Sequence, residues 1–308
     1  MTIRTKTTGR GLAAGLLLGA LAATSMPFAG ATHAAGSQAK ATINIGNKGF
    51  TEEFIIADMY QLALQKHGFN VNQKNLGETP ITNAALQKGS IDLYPEYTGT
   101  GLTVVLNKPS ISDPIQAYDT VKNLYQSKFH DTWLEQSPMN DTNAIAMKTS
   151  TAMKYNVHTL TDLGKAASKL SFAELPACAN RPDCLVGMKQ KYGVHFKSVR
   201  NLTSQSLLYA ALQSGQADVI EVFSTDSQIK QYKLTVAQDP KSIFPADHVA
   251  PVVRTSIVRK YPQIRQILNR VTAKITTSAQ IKLNAQVSVQ HKDPMAVARA
   301  FLTKKGLL

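Results

Sequence analysis

Two 26-residue segments of the chain match one another without a gap. Residues 75–100 read NLGETPITNAALQKGSIDLYPEYTGT, and residues 201–226 read NLTSQSLLYAALQSGQADVIEVFSTD. Eight positions are identical, and Tyr97 falls opposite Phe223. Each copy reads as a strand, a short helix containing Ala-Ala-Leu-Gln, a glycine that stops the helix, and a second strand. The repeat therefore predicts that the chain folds into two similar halves.

The stretches outside the repeat fit the same plan. Residues 42–45 (TINI) and 170–173 (LSFA) each read as an opening strand that runs into a loop. Residues 51–67 have helical periodicity, which Gly68 ends, and the tail at 259–308 reads as helices that pack back on the first half. Alternating strands and helices predict two α/β lobes, each a mostly parallel sheet flanked by helices. Ligands bind beyond the carboxyl ends of such strands, so we expect the site in a cleft between the lobes.

Four side chains near the ends of predicted strands suit a zwitterionic ligand. Tyr97 and Phe223 lie at corresponding positions just after the second strand of each repeat, and Lys48 and Arg181 lie in loops after the opening strands. An aromatic ring face attracts a soft cation by about 0.5–2 kcal/mol. Lysine and arginine donate hydrogen bonds to a carboxylate, arginine in bidentate fashion. The alternative is that each ring packs beneath its own loop.

Composition narrows the functional class. The chain has 308 residues, 43% of them hydrophobic, with a formal net charge of +14 and a pI near 9.7. Its lysines and arginines are scattered, without a run of five and without interleaved aromatic residues. Charge alone therefore does not indicate nucleic-acid binding, and we expect none.

The first 34 residues read as a signal peptide. A basic start precedes an apolar run at residues 11–23, followed by small residues that suit a signal peptidase. The run is shorter than the roughly 20 residues that span a bilayer, which argues against a membrane anchor. No cysteine lies near the cleavage region to accept a lipid. We expect an exported, cleaved, freely soluble periplasmic protein.

Motifs for catalysis and metal binding are absent from the sequence. It contains no phosphate-binding glycine loop, no His-Glu-x-x-His and no Gly-x-Ser-x-Gly. The seven histidines are scattered, and no pair has helical metal-site spacing. We expect that the protein is not an enzyme, and that it has no catalytic residues, no metal and no cofactor.

The two cysteines flank a loop. Cys178 and Cys184 lie six positions apart around Arg181. In an oxidising compartment this spacing favours a disulfide bond over a redox pair, which more often reads Cys-x-x-Cys. Two free thiols are the alternative. A disulfide bond would stiffen the loop that carries Arg181.

Together these features resemble a known family, the substrate-binding proteins of ABC importers for quaternary-ammonium osmoprotectants such as glycine betaine, choline and carnitine. The resemblance covers nearly all of residues 42–308. Its most specific stretches are IGNKGFTEE (45–53), LGET (76–79), GSIDLYPEYTGT (89–100), STD (224–226) and APVVR (250–254).

The resemblance implies a fold and partners. It implies a periplasmic-binding-protein clamshell of the type II-like class, in which the chain crosses twice between lobes. We place lobe 1 at residues 41–142 plus 247–308 and lobe 2 at residues 143–246. The implied partners are a small quaternary-ammonium or zwitterionic ligand and a membrane permease driven by a separate ATPase, and the implied role is osmoregulation. We expect a monomer.

The resemblance also implies site residues. Tyr97 corresponds to a wall of the aromatic box for the trimethylammonium group, and Lys48, Thr100 and Arg181 to residues that hold the ligand's carboxylate. Where relatives often have further tyrosines, this sequence has Asn143, Phe223 and Asp247. We expect these three to line the site too, with the Asp247 carboxylate attracting the cation.

Other functions stay open. The reduced aromatic box also suits a different small zwitterion or a cationic amino-acid-like solute. A secreted enzyme of similar fold would need a nucleophile and base in the cleft, and the sequence shows none. A sensor partner in place of a permease is not distinguished by sequence.

Overall fold

The computed structural model of the chain describes residues 41–308. The predicted signal peptide, residues 1–34, lies outside these described residues. In this range the strands are β1 (Thr42–Asn47), β2 (Asn70–Asn75), β3 (Leu93–Tyr97), β4 (Asp131–Trp133), β5 (Asn143–Lys148), β6 (Ser171–Glu174), β7 (Ser198–Asn201), β8 (Val219–Phe223), β9 (Leu234–Val236) and β10 (Val249–Arg254).

The helices alternate with these strands along most of the chain. They are α1 (Thr51–Lys66), α2 (Thr79–Gln87), α3 (Thr98–Thr100), α4 (Pro114–Phe129), α5 (Thr149–Tyr155), α6 (Leu160–Ala166), α7 (Leu185–Tyr192), α8 (Gln205–Ser214), α9 (Ser227–Gln231), α10 (Thr255–Lys260), α11 (Gln263–Thr272), α12 (Thr277–Ser288) and α13 (Pro294–Lys304). A π-helical turn at Gly101–Val105 extends α3, and 3₁₀ turns cover Ala167–Lys169 and Cys178–Asn180. Among the described residues no helix is both long and apolar enough to cross a membrane.

The strands form two five-stranded sheets of equivalent order. The first is β2-β1-β3-β10-β4 and the second is β7-β6-β8-β5-β9. In both sheets the first three strands are parallel, as the repeat predicts, and β3 and β8 occupy matching positions. The predicted pair of α/β lobes is thereby confirmed.

Each sheet is mostly parallel, as predicted, but contains one strand that runs against the other four. Strand β10 runs antiparallel to β3 and β4, and β5 runs antiparallel to β8 and β9. The reason is connectivity, because each of these central strands belongs to a chain segment that has just crossed from the other sheet. The residue boundaries that we gave for the lobes remain a prediction.

Hydrophobic clusters cover both faces of each sheet. In the first sheet, one face packs under α1 and the C-terminal helices, with Ile45, Leu64 and Leu268 fully buried. In the second sheet, one face packs against α6 and α7 around Phe172. Because apolar side chains cover the sheet faces, the polar side chains at the carboxyl ends of the parallel strands lie outside these cores, between the two sheets.

Candidate functional site

Three aromatic rings meet where the two sheets face each other. Tyr97 ends β3, Phe223 ends β8, and Phe50 immediately precedes α1. The Phe50 ring centroid lies 6.4 Å from that of Tyr97, at an interplanar angle of 29°. It lies 6.0 Å from that of Phe223, at 9°. The rings therefore form one cluster drawn from both halves of the chain.

Phe50 was missed by the sequence reasoning. Phe50 could have been identified as a candidate because it is an aromatic residue in the loop between an opening strand and a helix. Lys48, two residues earlier, was chosen for the same kind of position. Only the fold shows that this loop lies opposite Phe223.

Lys48 places an ammonium group against the Tyr97 ring. Its Nζ lies 4.4 Å from the ring centroid, 2.6 Å from Glu96 Oε1 and 3.7 Å from Glu53 Oε1. Burial alone would lower the pKa of Lys48, whose side chain is 5% exposed, but Glu96 and Glu53 outweigh burial and raise that pKa above its usual value. Lys48 is therefore a charged donor inside the site.

The carboxylates around Lys48 retain unused acceptors. Glu53 Oε1 and Glu96 Oε2 are buried without a hydrogen-bond partner among residues 41–308. Burial raises the pKa of Glu53 to about 8, against the opposing pull of Lys48. This part of the site can accept further hydrogen bonds.

Arg181 reaches from the second half to the first. Cys178 and Cys184 form a disulfide bond around its loop. Arg181 Nε donates to Asp183 Oδ1 at 2.8 Å, and Nη2 donates to Thr100 Oγ1 at 3.3 Å. Burial and Asp183 act in opposite directions on the pKa of Arg181, and the net effect raises it, so the guanidinium stays charged.

Asn143 and Asp247 lie beside this contact. Asn143 Nδ2 donates to the backbone oxygen of Asp183 at 3.0 Å, which holds the loop against β5. Asp247 accepts from the backbone nitrogens of Gly99 (2.6 Å) and Thr100 (3.1 Å), and from Thr100 Oγ1 (3.0 Å). The Asp247 carboxylate thus anchors the turn that follows β3. Burial raises its pKa to about 7, with Arg181 opposing.

The turn around Gly99 has no room for a side chain. A Cβ on Gly99 would lie 2.6 Å from Pro245 Cγ and 3.0 Å from Asp247 Oδ1. Glycine therefore lets the segment before β10 approach the end of β3, which brings Asp247 and Thr100 together.

Carboxylates outnumber cations in this region. Eight carboxylates, each no more than 6% exposed, lie around the rings and the Arg181 loop: Glu52, Glu53, Glu96, Asp141, Glu174, Asp183, Glu221 and Asp247. Both oxygens of Glu174 lack a hydrogen-bond partner within the described chain. Lys48 and Arg181 are the cations that the structure pairs with them. A protein of net charge +14 thus has an interior site rich in carboxyl groups and aromatic rings, and the ring faces suit a cationic group.

The predicted site residues are therefore largely brought together. Lys48 and Tyr97 are in direct contact, and Thr100 links Arg181 to Asp247. These contacts connect both halves of the chain. The residues are Lys48, Tyr97, Thr100, Asn143, Arg181, Phe223 and Asp247, and their roles in ligand binding stay a prediction.

Comparison with known proteins gives consistent matches. The model of the family described as the substrate-binding domain of ABC-type glycine betaine transport systems matches residues 41–304. A glycine-betaine-binding protein of Pseudomonas aeruginosa (strain PAO1) is 32% identical over 287 residues, which cover 89% of this chain and 91% of that protein.

Two further matches agree. The ergothioneine transport permease/ergothioneine binding protein of Helicobacter pylori (strain G27) is 31% identical over 265 residues, which cover 85% of this chain. The match spans 47% of that longer relative. A solved structure entitled "Crystal structure of glycine betaine/carnitine/choline ABC transporter" superposes with a TM-score of 0.70 and 31% identity, covering 86% of this chain and 99% of that one.

Proposed function

The chain belongs to the family of substrate-binding domains of ABC-type glycine betaine transport systems, and we propose that it captures a quaternary-ammonium compound of the glycine betaine, choline or carnitine type. The resemblance seen in the sequence motifs is confirmed by this membership. The observation that carries the proposed ligand class is the cluster of Phe50, Tyr97 and Phe223 among buried carboxylates. Ring faces and carboxylates both attract a cation, and the attraction is strongest when the cation is desolvated on binding.

The proposed action is capture by closure. A ligand that contacts rings from both halves stabilises the arrangement in which the halves approach, in proportion to its higher affinity for that arrangement. The liganded protein then docks on an ABC permease served by a separate ATPase, and the protein acts as an exported, soluble periplasmic component.

We assign the other end of the ligand to the basic donors. Lys48, Thr100 and Arg181 lie close to the rings or to the turn that follows Tyr97, and they offer an ammonium, a hydroxyl and a guanidinium to a carboxylate. Asn143 and Asp247 hold the loops that carry Arg181 and Thr100, so their contribution is to place these donors.

A second candidate is a cationic amino-acid-like solute or another small zwitterion. It is supported by the buried oxygens Glu53 Oε1 and Glu96 Oε2, which have no partner within the described chain. Unlike a quaternary ammonium group, a protonated amine could donate hydrogen bonds to them.

Isothermal titration calorimetry with glycine betaine, choline, carnitine, ergothioneine, proline and arginine tests the proposal. We expect one-to-one binding of a quaternary-ammonium member and a loss of at least about 10-fold in affinity in Tyr97→Ala. Tyr232→Ala, at an exposed tyrosine, is the matched control and should bind as the wild type does. Binding of proline or arginine alone would favour the second candidate, and binding of none of the six would refute both.

A further inference from the structure

Two sequence motifs that hold none of the predicted ligand-binding residues meet between the halves. They are the Thr-Glu-Glu stretch that begins α1 and the Ser-Thr-Asp stretch after β8. Thr225 Oγ1 donates to Glu52 Oε2 at 2.7 Å. Glu52 is 3% exposed and Thr225 is 1% exposed. The bond therefore lies in the interior, where the low local dielectric strengthens it.

The same oxygen is held by the C-terminal part of the chain. Asn284, on α12, donates from Nδ2 to Glu52 Oε2 at 3.0 Å and to the backbone oxygen of Thr225 at 3.3 Å. Gln280 Nε2 in turn donates to Asn284 Oδ1 at 2.8 Å, which fixes the orientation of the amide. Asn284 thus touches both members of the Glu52–Thr225 pair.

The other oxygen of Glu52 holds the aromatic wall. Tyr97 donates its hydroxyl to Glu52 Oε1 at 2.7 Å. One carboxyl group therefore connects Tyr97, from the first sheet, to Thr225, which lies two residues after the end of the strand that carries Phe223. The ring cluster lies next to this hydrogen-bonded group. Phe50 stacks on Phe223, and the residues two positions later in each segment, Glu52 and Thr225, are hydrogen-bonded to each other.

We propose that Glu52 is a positioning residue that couples the orientation of the Tyr97 ring to the approach of the two halves, with Thr225 and Asn284 as its partners. We call Glu52, Tyr97, Thr225 and Asn284 the Glu52 clasp. The proposal rests on the proposed function in one respect, because Tyr97 must contact the ligand for the coupling to appear in its affinity.

The neighbouring carboxyl groups support this role. The titratable groups that face Glu52 are Tyr97, Glu53, Asp141 and Asp226. Burial raises the pKa of Glu52, and burial together with the charge of Glu52 raises that of Asp141 well above its usual range. Asp141 Oδ1 accepts from the backbone nitrogen of Thr225 at 3.0 Å, so it sets the position of Thr225 beside Glu52.

A matched pair of variants tests the clasp. Thr225→Val removes the hydroxyl with little change in shape, whereas Thr225→Ser retains it. With the tightest ligand of the calorimetric panel, we expect Thr225→Val to bind about 10-fold or more weakly than Thr225→Ser. Thr235→Val, which removes an exposed hydroxyl on β9, should leave the affinity unchanged.

A double-mutant cycle separates coupling from local damage. Tyr97→Phe removes the hydroxyl but keeps the ring. Because Tyr97 and Thr225 share Glu52, we expect the combined loss in affinity to be clearly smaller than the product of the single losses. Glu52→Gln offers a second route, and it should weaken binding while Thr225→Val adds little further loss in its presence.

The outcomes are distinct from those of the proposed function. Failure of the wild type to bind any quaternary-ammonium compound refutes the proposed function. If the wild type binds and Thr225→Val equals Thr225→Ser, or the Tyr97 and Thr225 losses multiply independently, the clasp is refuted and the ligand assignment stands.

Discussion

Single side chains in this site each serve more than one contact, and Lys48 illustrates this. Its ammonium group lies against the Tyr97 ring and between Glu53 and Glu96. A buried lysine without such partners would tend to lose its proton, so the carboxylates keep it charged. The ring face and the charge that a zwitterion needs are thereby organised before a ligand arrives.

The role of Arg181 can be tested with two ligands that differ at one end. Choline and glycine betaine share the trimethylammonium group, but only glycine betaine has a carboxylate. If Arg181 binds that carboxylate, Arg181→Gln should reduce the affinity for glycine betaine by a factor at least about 10-fold larger than the reduction for choline. Any general damage from losing the Asp183 contact affects both ligands equally. Equal losses measured by calorimetry would show that Arg181 does not bind the carboxylate.

Residue-level prediction from sequence was good for strand ends and poor for side chains whose partners are distant. Tyr97 and Phe223 could be located because the repeat fixes their positions. Glu52 looked like an ordinary acidic residue at a helix start, and its partners Thr225 and Asn284 lie more than 170 positions away. The backbone hydrogen bonds that Asp247 accepts from Gly99 and Thr100 could not be predicted either, and its attraction of the ligand's cation stays a prediction.

Among the elements, the loop closed by Cys178 and Cys184 carries Arg181, which we propose donates hydrogen bonds to the ligand's carboxylate. It presents Arg181 towards Thr100, and Asp183 in the same loop holds the guanidinium. Because both cysteines are fully buried, the disulfide bond is also part of the core under α7.

Replacing both cysteines by alanine should therefore lower stability and affinity together. Loss of the cross-link should reduce the free energy of unfolding by about 2 kcal/mol, since the closed loop is short. Urea denaturation of the oxidised protein and of the Cys178→Ala, Cys184→Ala variant measures this difference. Reductant should lower the denaturation midpoint of the wild type and leave that of the double variant unchanged. An unaltered denaturation midpoint in the double variant would contradict the prediction.

Element prediction succeeded where the chain repeats itself. The equivalent pairs α2 and α8, and β3 and β8, follow from the constant shift of 126 residues between the copies. The antiparallel strands β5 and β10 lie outside the copies. Their short apolar runs do not show in which direction they pair, because direction depends on where the chain crosses between sheets.

At the scale of the whole molecule, buried carboxyl groups dominate the electrostatics. Burial raises the pKa of Glu53 and Glu221 to about 8, and that of Asp226 and Asp247 to about 7. Between about pH 4.5 and pH 8 the folded protein therefore holds protons that the unfolded chain has released.

Stability should consequently increase on acidification over this range. With more protons bound in the folded state, the free energy of unfolding falls as pH rises. We expect the thermal midpoint to rise by several degrees from pH 8 to about pH 5.5, measured by circular dichroism at constant ionic strength. In the Glu221→Gln variant, the thermal midpoint should depend less on pH than in the wild type. A midpoint that falls on acidification across this interval would show that these carboxyl groups are ionised and compensated in the folded protein.

The most direct measurement compares choline with 3,3-dimethyl-1-butanol, which has the same shape but carries no charge. Calorimetric titration of both into the wild-type protein isolates the contribution of the positive charge to binding by the rings and carboxylates. We expect choline to bind at least about 10-fold more tightly, because each ring face contributes about 0.5–2 kcal/mol to a cation. Equal affinities for the two compounds would show that the site recognises shape and apolar surface, and would contradict a cation-binding site.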